Sequence, residues 1–563
     1  MSDETRAVVR YLGGETGHRS FFGGTHSRTR VAMLAIFIAA GIVLTPLVGW
    51  PGLAVGAVGC AVTLAVTART HRGSVVERRR KSRRWHSRVH AGTHEFAPYS
   101  DEAWQKTREE VAEARRGTLR GRRQAVARAR RRLLALRAHP DGADGMGWLQ
   151  HARGEPGIAW HAPAGEDNYL SVTFSVTGQL RGIESTAVMT RAAEGWGHFL
   201  AGRAPHSSLV GNVQTVTRVL PADSSMQEFW VFNSLDDEAP ADAVASYEEV
   251  LRLTGEDAMV QRHFVTVSWP LTPAFTDAAS RFGDGRDGWR ALMKNEIDAT
   301  ARGLADARLG HVEALTARQT AALILHQQNP HMPIDLTRHV DASQFGLPSH
   351  DEFSAHIVES IDPTFARPGE PADNAPAVTW WHRTAAIHGE HLAVAGRSPL
   401  WCLDLLIGRE LTFVRTVAFH LHLVPAGQAK AAARADVVRD MAGVVADQQK
   451  GRLVSDDSTT RMSAAQRRAA DLAAGSHHHG VSWVGYITIS AMTRDGLAQA
   501  SRQLEEACST GLGIDYLDWQ DSFQSAASGA TWPIGRGLRA NAASLATRFI
   551  GRLAGRSEKE AIS

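Results

Sequence analysis

The sequence predicts an α+β protein: an N-terminal two-helix transmembrane hairpin followed by a large cytoplasmic body of two mixed α+β lobes. Three observations predict it. Residues 31–68 contain no charged side chain. A strongly basic stretch follows them. From about residue 147 strand-like alternation and helix-like periodicity take turns, and they complete that cycle twice. The chain then divides into an N-terminal cytoplasmic segment (1–30), the hairpin (31–68), a basic neck with a long helix (69–146) and a first α+β lobe (147–330). An irregular connection (331–375), a second α+β lobe (376–539) and a basic helix with a polar tail (540–563) complete it.

As one helix, 31–68 would be about 57 Å long at 1.5 Å per residue, well beyond a hydrocarbon core of roughly 30 Å. Gly49, Trp50, Pro51 and Gly52 supply a membrane turn in the middle. The proline stops a helix, the glycines permit the turn and the tryptophan suits the interface. Two short spans result, 31–48 and 53–68. Arg28 and Arg30 precede the first, and Arg69, Arg72, Arg78, Arg79, Arg80 and Lys81 follow the second, while the turn is uncharged. The positive-inside rule puts both termini in the cytoplasm of a multi-pass protein of the inner (plasma) membrane. A cleaved signal peptide would be shorter and closer to the start. A core hairpin of a soluble protein rarely stays apolar all round for this length.

The net charge of +3 conceals an asymmetry. Residues 69–137 hold 21 Lys or Arg against 7 Asp or Glu, a surplus of 14, so the rest of the chain sums to −11. Arg78, Arg79, Arg80, Lys81, Arg83 and Arg84 are the candidate lipid-facing or partner-facing site. Anionic lipid attracts such residues by about 1 kcal/mol each near the surface. A helix is expected over 103–138, N-capped by Asp101 and ended by Pro140. Contact between this neck and DNA phosphates is a second reading of the charge, although no groove-reading module accompanies it.

In the body, 169–176, 210–220 and 263–269 read as strands, with helices over 187–202 and 241–253 between them. Helices follow over 289–305 and 315–326. The region 329–371 is rich in Pro, Asp and His and reads as irregular. The second cycle has strands over 412–424, 481–490 and 514–519, with helices over 428–449, 464–474 and 497–508. A basic helix is expected over 540–553.

Tests for chemistry return no catalytic residue, no cofactor and no metal ligand. The three cysteines, Cys60, Cys402 and Cys508, form no C-x-x-C pair, so neither a disulfide framework nor a structural zinc site is expected. The G-x-x-x-x-G-K-[ST] phosphate loop is absent. Gly283, Gly285 and Gly288 match G-x-G-x-x-G, but Pro270 and Pro273 intervene after the strand and Asp284 and Asp287 would repel a pyrophosphate. The 26 histidines include His477, His478 and His479 in a row, His420 with His422, His388 and His391 around Glu390, and His350 and His356 around Asp351 and Glu352. None has the i, i+4 spacing of H-E-x-x-H. G-x-S-x-G is absent too. The expectation is a non-enzyme.

The order of features resembles an actinobacterial membrane-protein family whose members accompany PrgI-type small membrane proteins and conjugation-type ATPases. The segments that carry the resemblance run from Gly147-Trp148 to Gly182, including GEPGIAWHAPAGEDNYLSVTFSVTG, from Trp380-Trp381 to Arg397, and from Gly480 to Trp532. The body is also similar to the N-terminal, non-motor half of the type IV secretion ATPase, and Trp532-Pro533-Ile534-Gly535 is similar to the turn that closes that half. The hairpin looks like the two-span subunit often fused to that ATPase. The resemblance implies a non-catalytic scaffold of a conjugation or type IV-like secretion apparatus. Its implied partners are a separate conjugation-type motor ATPase and a small PrgI-like membrane protein, within an oligomeric membrane complex. The chain ends soon after Arg539, where the motor would begin, so ATPase activity is not carried over. Two alternatives remain: a type VII secretion membrane component similar to EccE, and a membrane-bound metal-dependent enzyme.

Overall fold

The computed structural model describes residues 10–12, 28–67, 74–116, 121–163, 167–179, 184–222, 231, 233–236, 238–255, 259–332, 334–335, 337–361, 377–393, 395–397, 401–407, 411–449, 466, 469–472 and 478–537. The expected basic helix over 540–553 lies outside these, as do His477 and much of the helix expected over 464–474.

A short strand, β1 (Arg10–Leu12), comes first. Two helices follow, α1 (Arg28–Val48) and α2 (Trp50–Thr67), packed against each other as a hairpin. By length and composition α2 is the one described helix long and apolar enough to cross a membrane; the apolar part of α1, Met33–Val48, is shorter. The turn is tighter than the sequence implied. Gly49 alone makes it, at φ +76°, a conformation that favours glycine. Trp50, Pro51 and Gly52 already belong to the first turn of α2, where a proline costs no hydrogen bond. Pro51 therefore starts a helix instead of stopping one. The helices approach closely through glycines. A Cβ on Gly52 would lie 2.5 Å from the Leu44 carbonyl carbon, and one on Gly56 would lie 2.9 Å from Gly41 Cα.

The neck begins with α3 (Val75–Ala91), bounded by a complete capping box at Ser74 and Glu77 and by Gly92 at φ +75°. Phe96, Ala97 and Pro98 fall in β2 (Glu95–Pro98). The single helix expected over 103–138 is two, α4 (Asp101–Arg116) and α5 (Arg122–Ala135), folded against each other. Gly121, in the left-handed region, opens the second. Asp101 is helical rather than an N-cap; the Ser100 hydroxyl takes the cap bond from Ala103 N at 3.1 Å. The two-residue strand β3 (Leu136–Arg137) then pairs in parallel with β2.

The body is one large, mostly antiparallel sheet with helices. Its first half holds β4 (Met146–Gln150), β5 (Ile158–His161), β6 (Tyr169–Val176), α6 (Thr186–Ala201), β7 (Asn212–Pro221), α7 (Ala241–Gly255), β8 (Met259–Pro270), α8 (Pro273–Ser280), α9 (Gly285–Asp306), β9 (Val312–Ala314) and α10 (Ala317–Gln328). The second half holds β10 (Ser349–Glu352), β11 (Ala355–Ile361), β12 (Ala377–Ile387), β13 (Ala395–Arg397), α11 (Leu403–Ile407), β14 (Val414–Val424), α12 (Ala426–Gln449), β15 (Gly480–Ala491), α13 (Arg494–Thr510), β16 (Asp518–Trp519) and α14 (Gln524–Ser528). The main path across the sheet is β3-β2-β10-β11-β12-β15-β14-β7-β8-β6-β5-β4.

Outward from the central antiparallel pair of β7 and β14, the two halves run in matching order, β7-β8-β6-β5-β4 on one side and β14-β15-β12-β11-β10 on the other. The matching strands β8 and β15 share a pattern, Phe264-Val-Thr-Val-Ser268 and Tyr486-Ile-Thr-Ile-Ser490. Each threonine bonds one on the next strand outward, Thr266 to Thr173 of β6 at 2.9 Å and Thr488 to Thr384 of β12 at 2.8 Å. The halves thus form one continuous sheet, with an approximate twofold relation centred on the pair Val216 and Ala418.

The connection over 331–375 is not wholly irregular, because β10 and β11 lie in it. Their Asp and His residues hid the strand pattern, and two of them, Asp351 and His356, are buried by the fold. The last expected strand, 514–519, shrinks to Asp518–Trp519.

The sheet has one apolar and one polar face. On the apolar face Leu170, Val172, Phe174, Val213, Val265 and Val267 pack with Phe199 of α6 and Met293 and Leu304 of α9. Ile387, Val417, Ile487 and Ile489 pack likewise with Leu497 and Leu504 of α13. The opposite face carries Thr173, Gln214, Arg218, Thr266, His382, Thr384, Thr416, His420, Thr488 and Ser490, all buried. It is hydrogen-bonded to α10 and to the chain from Gln520 to Gly535.

Candidate functional site

The site that joins the sequence-predicted residues to the body is the junction of hairpin, neck and sheet. The α3 helix presents two faces. Arg78, Arg79, Arg80, Arg83 and Arg84 are exposed, whereas Glu77, Lys81 and Trp85 are half-buried and Arg88 is buried. The 3.6-residue period puts Glu77, Lys81, Trp85 and Arg88 on the stripe facing the body. Lys81 therefore departs from the predicted lipid-facing set. Its Nζ donates to Asp518 Oδ1 at 2.9 Å and to the Trp519 carbonyl at 2.6 Å. Of the predicted turn, Trp50 is 81% exposed and Gly52 is buried in the helix contact.

Arg88 ends the strut in a buried network. Its guanidinium donates to Asp351 Oδ2 at 2.7 Å, to the Ser522 carbonyl at 2.8 Å and to the Thr93 carbonyl at 3.1 Å. It reaches Asp141 Oδ2 at 3.3 Å and lies 4.0 Å from the centroid of the Phe523 ring. Asp351 also accepts from the Ser525 amide at 2.9 Å, from the Ser525 hydroxyl at 2.8 Å and pairs with His356 Nδ1 at 3.1 Å. Burial alone would raise the Asp351 pKa, yet His356 and Arg88 hold it below the ordinary carboxylate value. One buried carboxylate thus ties together the neck, the β10–β11 hairpin and α14. Sequence reasoning missed Arg88, and it weighed Asp351 and His356 only as part of a metal group. Arg88 stands in a long basic run, and nothing in its neighbours distinguishes it from the exposed arginines.

The hairpin is held from its other end as well. β1, on the N-terminal side of α1, pairs antiparallel with β13 of the body, Arg10 to Arg397 and Leu12 to Ala395. Both flanks of the hairpin therefore return to the same body. Its outer surface stays apolar and exposed, as at Ile42, Leu47, Leu53 and Val58.

Several histidines make individual hydrogen bonds to the chain. His420 Nε2 meets the Ala530 carbonyl at 2.7 Å, and His382 bridges Ser490 and the Gln328 carbonyl at 2.8 Å each. Burial lowers the His420 pKa to about 4 and the His161 and His382 values to about 3. His479 Nδ1 accepts from the Ala426 amide at 3.0 Å, and His478 meets the Asp471 carbonyl at 2.9 Å. Among the described residues no three His, Cys, Asp or Glu side chains converge as a metal site requires. Gly283 and Gly285 precede and open α9, but α8 separates them from the preceding strand β8, so the strand-turn-helix of a dinucleotide site is not formed. Trp532-Pro533-Ile534-Gly535 crosses the polar face instead. The carbonyls of Trp532, Pro533 and Ile534 accept from Gln214, Thr173 and Tyr169.

Arg218 lies at the centre of that face, fully buried, donating to Thr416 Oγ1 at 3.0 Å and to His326 Nδ1 and carbonyl at 3.0 and 2.8 Å. Burial pulls its pKa down to about 9. A cleft of about 450 Å³ opens between α4, α5 and the sheet edge, with Phe96, Thr107, Arg132 and His350 among its walls.

No family model matches the chain, and no curated protein matches it in sequence. The residues themselves define a mixed α+β body carrying an apolar helical hairpin on a basic strut.

Proposed function

We propose that this chain is a non-catalytic scaffold of the inner membrane. In this reading both helices of the hairpin span the bilayer, both termini face the cytoplasm, and the body docks a separate conjugation-type motor ATPase. The observation that carries the anchoring is the double attachment of the hairpin, through β1 to β13 on one flank and through Lys81 and Arg88 on the other. An apolar hairpin whose two ends return to one polar body is built for re-entry on the side it left. The exposed arginines of α3 then sit where anionic headgroups would be, each attracted by about 1 kcal/mol.

The docking role rests on the resemblance of the body to the non-motor half of type IV secretion ATPases. The conjugation apparatus, the small PrgI-like partner and the oligomeric complex rest on it too. Affinity purification of the full chain from membranes in neutral detergent tests it. The cognate motor ATPase should be recovered, and a fragment carrying only residues 1–73 should fail to recover it. Recovery by that fragment would move the docking surface into the hairpin. No recovery in either case would remove the scaffold reading.

A further inference from the structure

We propose that the arginine face of α5 is a docking surface for the phosphodiester backbone of nucleic acid, separate from the lipid-facing arginines of α3. The α5 helix carries Arg122, Arg123, Arg128, Arg130, Arg131 and Arg132 and no acidic residue. All six are exposed, and among the described residues only Arg132 is drawn into an ion pair, with Glu110 at 3.2 Å. The last turn of α4 adds Arg115 and Arg116 at the tip of the helical pair. The acidic residues of that pair are confined to α4. Six like charges on one short helix repel one another, and a polyanion relieves that repulsion. Arginine forks also suit phosphate oxygens, which they grip in pairs.

The packing favours nucleic acid over a bilayer. A membrane-surface helix sets an apolar face opposite its basic one and sinks that face among the acyl chains. In α5 the apolar face is already used. Ala129 and Ala135 are buried, and Val126 and Leu133 are half-buried; Val111 is the buried residue of the partner helix α4. Leu134, at the C-terminal end beside the body, is the large apolar side chain of α5 left exposed. The location agrees. The α5 residue Arg131 lies against Gly92, which caps the end of α3 remote from the hairpin. That places it about 25 Å along the strut from the hairpin side.

The test uses the full chain in neutral detergent, a fluorescein-labelled DNA duplex, and phosphatidylcholine vesicles with and without phosphatidylglycerol. Duplex binding should weaken steeply with salt, by about 0.9 in log–log slope for each phosphate contacted. Replacing Arg122, Arg123, Arg128, Arg130 and Arg131 with Gln should lower affinity more than about tenfold and flatten that slope by up to about 4. The corresponding Lys variant should keep the slope, and a thermal melt should show both variants folded. Replacing Arg79, Arg80, Arg83 and Arg84 with Gln should instead spare DNA binding and reduce capture by phosphatidylglycerol vesicles. Unchanged duplex binding by the α5 Gln variant would overturn the proposal. So would loss of vesicle capture without loss of DNA binding, which would assign α5 to the membrane. Selective retention of polyglutamate would assign it to an acidic protein.

Discussion

At the scale of single residues, a deeply buried charge pair of the junction is Arg88 with Asp351. The Asp351 side chain is fully buried and bonded by Arg88, Ser525 and His356. Removing one partner leaves the other charge buried with only Asp141 or His356 to compensate it, which costs up to about 3–5 kcal/mol. Asp351→Ala should therefore lower the thermal midpoint of the purified chain sharply. The double change Arg88→Gln with Asp351→Asn should cost less than the sum of the two single changes. Three buried histidines make a second prediction. His161, His382 and His420 have folded pKa values of about 3, 3 and 4, below the ordinary 6.5, because burial disfavours the charged ring. Unfolding frees them to take protons, so each contributes stability that is whole above pH 6.5. That stability is lost as pH falls toward the folded value, roughly 2 kcal/mol for each ring by pH 5. Melting scans between pH 7.5 and pH 5 should show the fall, and His420→Gln should make it shallower. A flat profile would mean that these rings are protonated in the fold.

The elements show what a sequence can and cannot disclose. The uncharged run and its glycine-proline break specify two helices, and their limits fall within a few residues of those expected. The alternation of small and branched residues over Tyr169–Val176 and Gly480–Ala491 marks both as strands, since one face of each is fully apolar. β10 and β11 escaped because their inward positions are Asp351 and His356, polar residues that only a partner from the neck, Arg88, makes buriable. The α4–α5 break escaped because its arginines and alanines suit one long helix as well as two. The hairpin yields an element-scale prediction. A side chain on Gly52 meets the Leu44 backbone at 2.5 Å, where nothing can give way except the helix. Cysteines placed at Phe37 and Gly59, which are in contact across the pair, should crosslink readily in the parent and poorly after Gly52→Val. At the head of α3, Ser74→Ala removes half of a capping box and should cost about 1 kcal/mol. The loss should appear as faster amide exchange in the first turn of α3.

At the scale of the whole molecule, charge is sorted along a path. An apolar hairpin leads to a basic strut, the strut locks into the body at Lys81 and Arg88, and an arginine-rich helix stands at its far end. The body is one sheet built twice from the same strand order. Its interior polar face is filled by α10 and by the chain's own segment from Gln520 to Gly535, which leaves the outer surfaces as the ones open to contact. The hairpin's double attachment is the feature on which the anchored reading stands, and labelling in intact cells examines it most directly. A cysteine at Gly49 and another at Ser509, an exposed position of the body, are compared with the parent chain using a membrane-impermeant thiol reagent. The account predicts labelling at Gly49 in intact cells and labelling at Ser509 only after lysis. Labelling at Ser509 in intact cells with Gly49 protected would reverse the orientation, and protection of both until lysis would place the hairpin outside the membrane.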